Sequence, residues 1–493
     1  MQQLTGLDAS FLYMETGAQF GHVGSVTLYD PSTTPGGASL YDVMRTSISE
    51  RMHILPPFRR RLIQVPLGLD HPYWIEDPNF DLDFHLRHIA VPPPGTNLQL
   101  SELVSRIHGR PMDRERPLWE IYVIEGLANG LVALFIKIHH CTIDGVSGAE
   151  MTSTLLDTSP AGSAIAPPEQ AWKPDAIPGE LEMLRRGIGA ALLRPGRAAR
   201  FAAGAVRSLA QSPELGPMAR DVIGLDRLPV VGGLFKRRGD QVDAPLIPQT
   251  RAPKTPFNRS ITPHRRWAFC SIPLADAKLI KSVYGTTLND VVMAASSGAL
   301  RAYLERKSAL PEDPLIAMVP VSVRSAEEKA TYSNRVSSVL ADLATNEKDR
   351  VARLLRIHES MKSAKRMQQA IPANLLQDFT QFATPSVAGQ AARIVARTRI
   401  ADRMNPPFNV VISNVPGPRH PLYLGGVRML SYYPVSAVAE GQGLNITVQS
   451  YLDQLDFGLI ACRDLVPDVW DLADDLREAF AELTRLATAK KRA

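Results

Sequence analysis

Apolar and polar positions along this chain repeat with two periods, and the two periods take turns. His22 to Asp30 (HVGSVTLYD) alternates as a strand does, and Leu40 to Met52 (LYDVMRTSISERM) carries the spacing of an amphipathic helix before a turn at Pro56-Pro57. After the break at Pro92 to Gly95, Ser101 to Met112 reads as a second helix. Trp119 to Leu127 and Leu131 to His140 are apolar, β-rich runs separated by Ala128-Asn129-Gly130, a strong hairpin signal. From His264 onward the same mixture returns. Arg265 to Leu274 reads as a strand, Leu274 to Gly285 and Thr287 to Lys307 as helices, and Leu315 to Val323 and Phe408 to Val415 as strands. Leu444 to Tyr451 and Asp456 to Asp464 form a second hairpin, and a last amphipathic helix covers Pro467 to Lys490.

The two hairpins share a plan of strand, polar turn and apolar strand, which hints at an internal repeat in which only the first copy ends in paired histidines. Between the halves, Ala161 to Pro263 holds 13 prolines, spaced so that a long regular element fits only between Gly179 and Ser212. The expected organisation is a half at 1–160, a proline-rich linker with a helical insert at 161–263, and a second half at 264–493. The fold class is mixed α/β (α+β), with strands and helices alternating in both halves.

Composition narrows the class. Of 493 residues, 45% are hydrophobic and 21% charged, as in a globular protein with a large core. A net charge of +5 is too small to imply nucleic-acid binding. Arg185, Arg186, Arg194, Arg197, Arg200 and Arg207, against the single acid Glu182, place that whole excess in residues 181–210. Cys141, Cys270 and Cys462 are scattered and lack metal-ligand spacing, which fits a reducing cytoplasm. The first residues do not read as a secretory signal, and no run approaches the ~18 apolar residues of a membrane span.

The sharpest chemical signal is LFIKIHHCTIDGVSG. Strand parity puts His140 on one face with Val132, Leu134, Ile136 and Ile138, and His139 on the other with Lys137. A histidine ending a buried apolar row is partly desolvated, aimed inward, and able to accept a proton near neutrality. Asp144 past the strand end can orient a ring, pair with an arginine or tie down a loop, and Gly145 suggests a close backbone approach. A packed histidine and a plain Asp-Gly turn are the bland alternatives. A metal site is disfavoured, because adjacent histidines on a strand point to opposite faces.

The string HHCTIDG resembles the HHxxxDG motif of the CoA-dependent acyltransferase superfamily. PLWE (Pro117 to Glu120), NDVVMA (Asn289 to Ala294) and SNVPGP (Ser413 to Pro418) are similar, in order, to motifs of the bacterial wax ester synthase/acyl-CoA:diacylglycerol acyltransferase family. So are GLDASFLY near the start, MVPVSVR (Met318 to Arg324) and GQGLNITVQSY (Gly441 to Tyr451). The match runs from about Leu4 to Asp464. Cys141, Thr142 and Ile143 are more polar than is usual there, and Ser333 stands where glycine is common, departures that bear on substrate preference.

The resemblance implies two related halves around a central tunnel, and an O-acyltransferase that takes acyl-CoA as substrate and needs no cofactor or metal. His140 would be the general base, with His139 beside it, Asp144 structural and Gly145 keeping the acyl-CoA channel open. Asn289 would be either an oxyanion donor or a helix cap, and Asp290 and Asn414 would lie on the substrate side. Pro117 to Trp119 and Ser413 to Pro418 read as structural. The expected acceptor is diacylglycerol, giving triacylglycerol, with a long-chain alcohol as the alternative. A condensation-type domain and a non-catalytic lipid-surface protein are the remaining classes. The Arg-rich stretch 181–210 would be either a solvated helix or a contact with the inner membrane face or lipid inclusions.

Overall fold

The computed structural model describes residues 1–142, 154–168, 172–193, 252–322, 336–370, 393–394 and 396–492. Two six-stranded sheets dominate. The first sheet runs β12 (Tyr423–Leu424), β13 (Val427–Val435), β2 (His22–Tyr29), β7 (Val132–His139), β6 (Trp119–Glu125), β5 (Leu86–Ala90). The second runs β10 (Val336–Asp342), β9 (Ile316–Ser322), β11 (Val410–Val415), β14 (Leu444–Tyr451), β15 (Gln454–Cys462), β8 (Arg265–Pro273). A small sheet of β1 (Gln2–Gln3), β4 (Tyr73–Glu76) and β3 (Arg60–Ile63) lies apart.

Helices α1 (Gly6–Tyr13), α2 (Leu40–Arg51), α3 (Pro56–Arg59), α4 (Leu82–His85) and α5 (Asn97–His108) accompany the first sheet, and α6 (Glu180–Leu193) follows. Helices α7 (Leu274–Tyr284), α8 (Leu288–Arg306), α9 (Arg350–Ala370) and α10 (Val469–Arg492) cover the second. Helix α5 starts four residues before the predicted Ser101. Thr96 and Gln99 make a reciprocal capping box there, which satisfies the first free amides as soon as the chain clears the Pro92 to Gly95 break.

The expected repeat is present in the pairing itself. Strands β2, β7, β6 and β5 pair antiparallel, antiparallel and parallel, and β8, β15, β14 and β11 pair in the same sequence. His22 faces His139 in the first set, and Arg265 faces Cys462 in the second. The correspondence extends one residue further. The His140 amide donates to the Gly21 carbonyl at 2.9 Å, and the Arg463 amide to the His264 carbonyl at 3.0 Å.

Sheet membership does not follow the order of the chain. Residues 423–435, far along the second half, cross over and pair β13 antiparallel with β2, Val26 opposite Tyr433. The exit is built by SNVPGP. Strand β11 continues through Ser413, Asn414 and Val415, and the turn begins only at Pro416. Gly417 then passes so close to β14 that a Cβ would lie 2.0 Å from the Ser450 carbonyl oxygen. The end of the proline-rich stretch is likewise built into the second half. Phe257 lies in its core, and the Asn258 amide donates to the carbonyls of Asn409 and Gly441 at 3.0 and 2.8 Å.

Candidate active site

Strand β7 is covered on both faces, although one of them carries Lys137 and His139. Val132, Leu134 and Ile138 pack toward α2 and the Phe58–Trp119 cluster, whereas Ala133 and Phe135 join a core that includes Trp267 of β8. The parity expected from sequence holds, but the desolvation falls differently. His139 is 1% exposed and His140 only half-buried, because the face shared with Lys137 is closed by α5 and β8.

The His139 ring is held at both nitrogens. The Cys141 amide donates to Nδ1 at 3.1 Å, so Nε2 carries the proton and donates to Glu15 Oε1 at 3.1 Å. The same Glu15 oxygen accepts from the Gly21 amide at 2.7 Å, and Oε2 accepts from Arg114 at 2.5 Å. Burial pushes the Glu15 carboxyl up, but the hydrogen bonds from His139, Arg114 and Gly21 outweigh it and bring the group down to about 2. Gly21 is required by this approach, since a Cβ there would lie 2.7 Å from His139 Nε2 and 2.8 Å from the Phe11 carbonyl oxygen.

His140 follows the last residue of β7. Its backbone is pinned to Gly21, and its ring stacks on Phe11 of α1 with centroids 4.2 Å apart and planes 13° from parallel. The GLDASFLY segment thus supplies one wall of the histidine. Cys141 is buried, and burial pushes its thiol well above the ordinary range, so it is an inert thiol rather than a nucleophile.

Behind the pair, the sheet plugs the C-terminal end of α5. Lys137 Nζ donates to the carbonyls of Ile107 and Arg110 at 3.2 and 2.7 Å, and His22 Nε2 donates to the His108 carbonyl at 2.6 Å. Burial brings Lys137 down to about 8, and it pushes both His22 and His108 well below the usual histidine range.

Asp144 and Gly145 lie outside the described residues, as do Ser333 and residues 194–210. Where the description resumes, the chain is clamped. Arg51 Nη2 donates to both oxygens of Asp157 at 3.0 Å and its Nε to the Thr154 carbonyl at 3.0 Å, while the backbone of Asp157 pairs with Tyr423 of the crossover.

Asn289 and Asp290 begin α8, but neither is its cap. Thr287 is the N-cap, and Asp290 returns the capping box. The Asp290 carboxylate accepts from the Thr287 amide and hydroxyl, both at 2.8 Å, and from His358 Nδ1 at 2.7 Å. The carboxylate is buried, and these three bonds give it a structural use at the start of the helix. Asn289 is half-buried, and its amide makes no hydrogen bond among the described residues. Asn414 sits half-buried on β11 opposite Val448, just before the crossover exit. Trp119 is structural, its indole donating to the Phe58 carbonyl at 2.9 Å between stacked Phe58 and His85 rings. No group of His, Cys, Asp and Glu among the described residues is arranged to hold a metal ion.

Glu15, Gly21, Phe11 and Arg114 were missed as functional residues. Their one local signal is that Glu15 is an isolated acid in an apolar N-terminal stretch.

The wax ester synthase/diacylglycerol acyltransferase catalytic domain matches residues 4–292, and the C-terminal domain of the same family matches 332–484. A Mycobacterium tuberculosis protein named as a candidate diacylglycerol O-acyltransferase is 37% identical over 485 residues, covering 98% of this chain and 90% of that one. The solved wax ester synthase/diacylglycerol acyltransferase from Marinobacter aquaeolei VT8 superposes with a TM-score of 0.67 at 32% identity, covering 99% and 100% of the two chains. The first condensation domain of the CDA synthetase shares the fold, with a TM-score of 0.53 at 16% identity over 99% and 95%.

Proposed function

Given that the chain belongs to the wax ester synthase/diacylglycerol acyltransferase family and is an acyltransferase, we propose that it moves a long-chain acyl group from acyl-CoA to the free hydroxyl of diacylglycerol. His140 removes the hydroxyl proton as the oxygen attacks the thioester carbonyl. A tetrahedral intermediate forms, the C–S bond breaks, and His140 returns the proton to the CoA thiolate. No acyl-enzyme is formed, in keeping with the buried thiol of Cys141. The amide of Asn289, which makes no hydrogen bond among the described residues, is the donor we assign to the developing oxyanion.

The observation that carries this reading is the pair of rings at the end of β7: His139 fixed by Glu15 and Cys141, and His140 left half-exposed against Phe11. The test is purified protein with labelled palmitoyl-CoA, offered diacylglycerol, monoacylglycerol and hexadecanol separately. Thiol release that depends on diacylglycerol supports the proposal, and release with hexadecanol alone would make the protein a wax ester synthase. No release with any acceptor would favour a carrier-dependent or non-catalytic role.

Contact with a lipid surface belongs to the same proposal. Helix α6 turns Met183 and Gly187 toward the Val65–Leu69 turn and leaves Leu181, Ile188, Arg185 and Arg186 exposed, with Leu67 80% exposed on that turn. No helix among the described residues is long and apolar enough to cross a membrane.

A further inference from the structure

A cavity of 640 Å³ lies on the first half, within the range of small-molecule sites, and the reaction above does not use it. Its floor is Met52 and Phe80, both packed on the Phe58–Trp119 core, and its roof is the extended segment 163–168, all six residues of which line the space, Ala164 and Ile165 among them. That roof is tied at both ends. Upstream, Asp157 is gripped by Arg51; downstream, the Trp172 indole donates to Glu76 Oε2 at 3.0 Å, and Asp175 exchanges hydrogen bonds with the Glu76 backbone at 3.0 and 3.2 Å. The cleft is therefore framed on rigid supports, with apolar walls above and below.

The rim decides the head group. Arg59, the one arginine among the described residues that line the space, is already committed, with Nε 3.4 Å from Glu76 and its guanidinium over the Trp172 ring. What remains is Glu50, Ser49 and His53 at the C-terminal end of α2, where the last carbonyls and the negative end of the helix dipole gather. Such a rim is rich in acceptors and unfavourable to a carboxylate, and it suits a neutral group that donates a hydrogen bond.

We propose that this cavity binds a single-chain lipid with an uncharged hydroxyl head, a long-chain alcohol, with the chain between Phe80 and Ile165 and the hydroxyl toward Glu50 and His53. Its role in turnover, as a holding site away from His140, rests on the acyltransferase reading above with a long-chain alcohol as the alternative acceptor; its binding chemistry does not rest on that reading.

The probe is 11-bromoundecanol, whose bromine quenches nearby indoles, titrated into a His140→Ala protein and into the same protein with Trp172→Phe. The difference between the two quench curves should saturate at one equivalent. Ala164→Phe, which fills the roof side, should weaken that binding at least tenfold with an unchanged circular dichroism spectrum, and 11-bromoundecanoate should bind at least tenfold more weakly than the alcohol. A difference curve that never saturates or is absent overturns the site, and equal binding of the carboxylate overturns the head-group assignment. Because the titration needs no turnover, a saturating difference without transferase activity in the unsubstituted enzyme removes the acceptor role alone, and transfer without the difference removes the site alone.

Discussion

The two hairpins of this molecule are built alike and used differently. In the first sheet β7 ends at His139 and His140 follows it; at the matching place in the second, β15 ends at Cys462 and Arg463 follows it, with the same backbone bond closing each end. The residue accepting that bond is Gly21 in the first half and His264 in the second. Removing one side chain at Gly21 opens the room in which Glu15 reaches His139, so the scaffold is common and the vacancy beside it makes the chemistry local.

The hardest test of that contrast is a pair of substitutions. His140→Ala should lower the rate of CoA release about 10²- to 10⁴-fold, the usual worth of a general base, while Arg463→Ala, at the matching place in the second half, leaves it within about twofold. Wild-type turnover in the His140 variant would end the assignment. A smaller effect is expected at the acceptor carbonyls. Gly21→Ala forces a Cβ against His139 and should cost about 1–3 kcal/mol in urea unfolding together with a loss of turnover, whereas His264→Ala should keep turnover. Equal losses of turnover from both would mean that the first half holds no special vacancy.

The last effect shows only as the pH falls into the acid range. The Glu15 carboxyl lies at about 2 in the folded protein against 4.5 ordinarily, so its contribution is fully present above pH 4.5 and is lost as pH falls toward 2. Glu15→Gln should abolish that part of the acid sensitivity, on the order of 3 kcal/mol between those limits by the usual 1.36 kcal/mol per pH unit. His22 and His108, held neutral by burial, add a separate loss that begins as pH drops below 6.5, where the unfolded chain takes up protons that the folded one refuses. A Glu15→Gln protein with an unchanged acid profile would disprove the pairing with His139.

Much of this was legible in the chain because it is local. Asn129-Gly130 marks the first hairpin, the two periods mark the elements, and one string of residues marks the histidines. The choice of the more buried histidine was not legible, since parity says which residues share a face and not which face a later helix will close. The Glu15–His139 contact spans 124 positions and leaves no local trace. Thr287 and Asp290 stand three apart as a capping pair does, which the chain shows, but His358 on α9, the other donor to Asp290, lies 68 positions away and leaves no mark beside it. Residues 427–435 were not read as a strand at all, because their partner β2 lies at the other end of the chain.

That distant partnership has a price in time. Val26 waits for Tyr433 before its sheet edge is covered, and at a ribosomal pace of roughly 5–20 residues per second the wait is about 20–80 s. Throughout it, a nascent β2 shows a bare row of amides and carbonyls to any other chain nearby. Slowing translation of the second half should therefore increase inclusion-body formation, and supplying residues 422–435 as a free peptide during synthesis should relieve it.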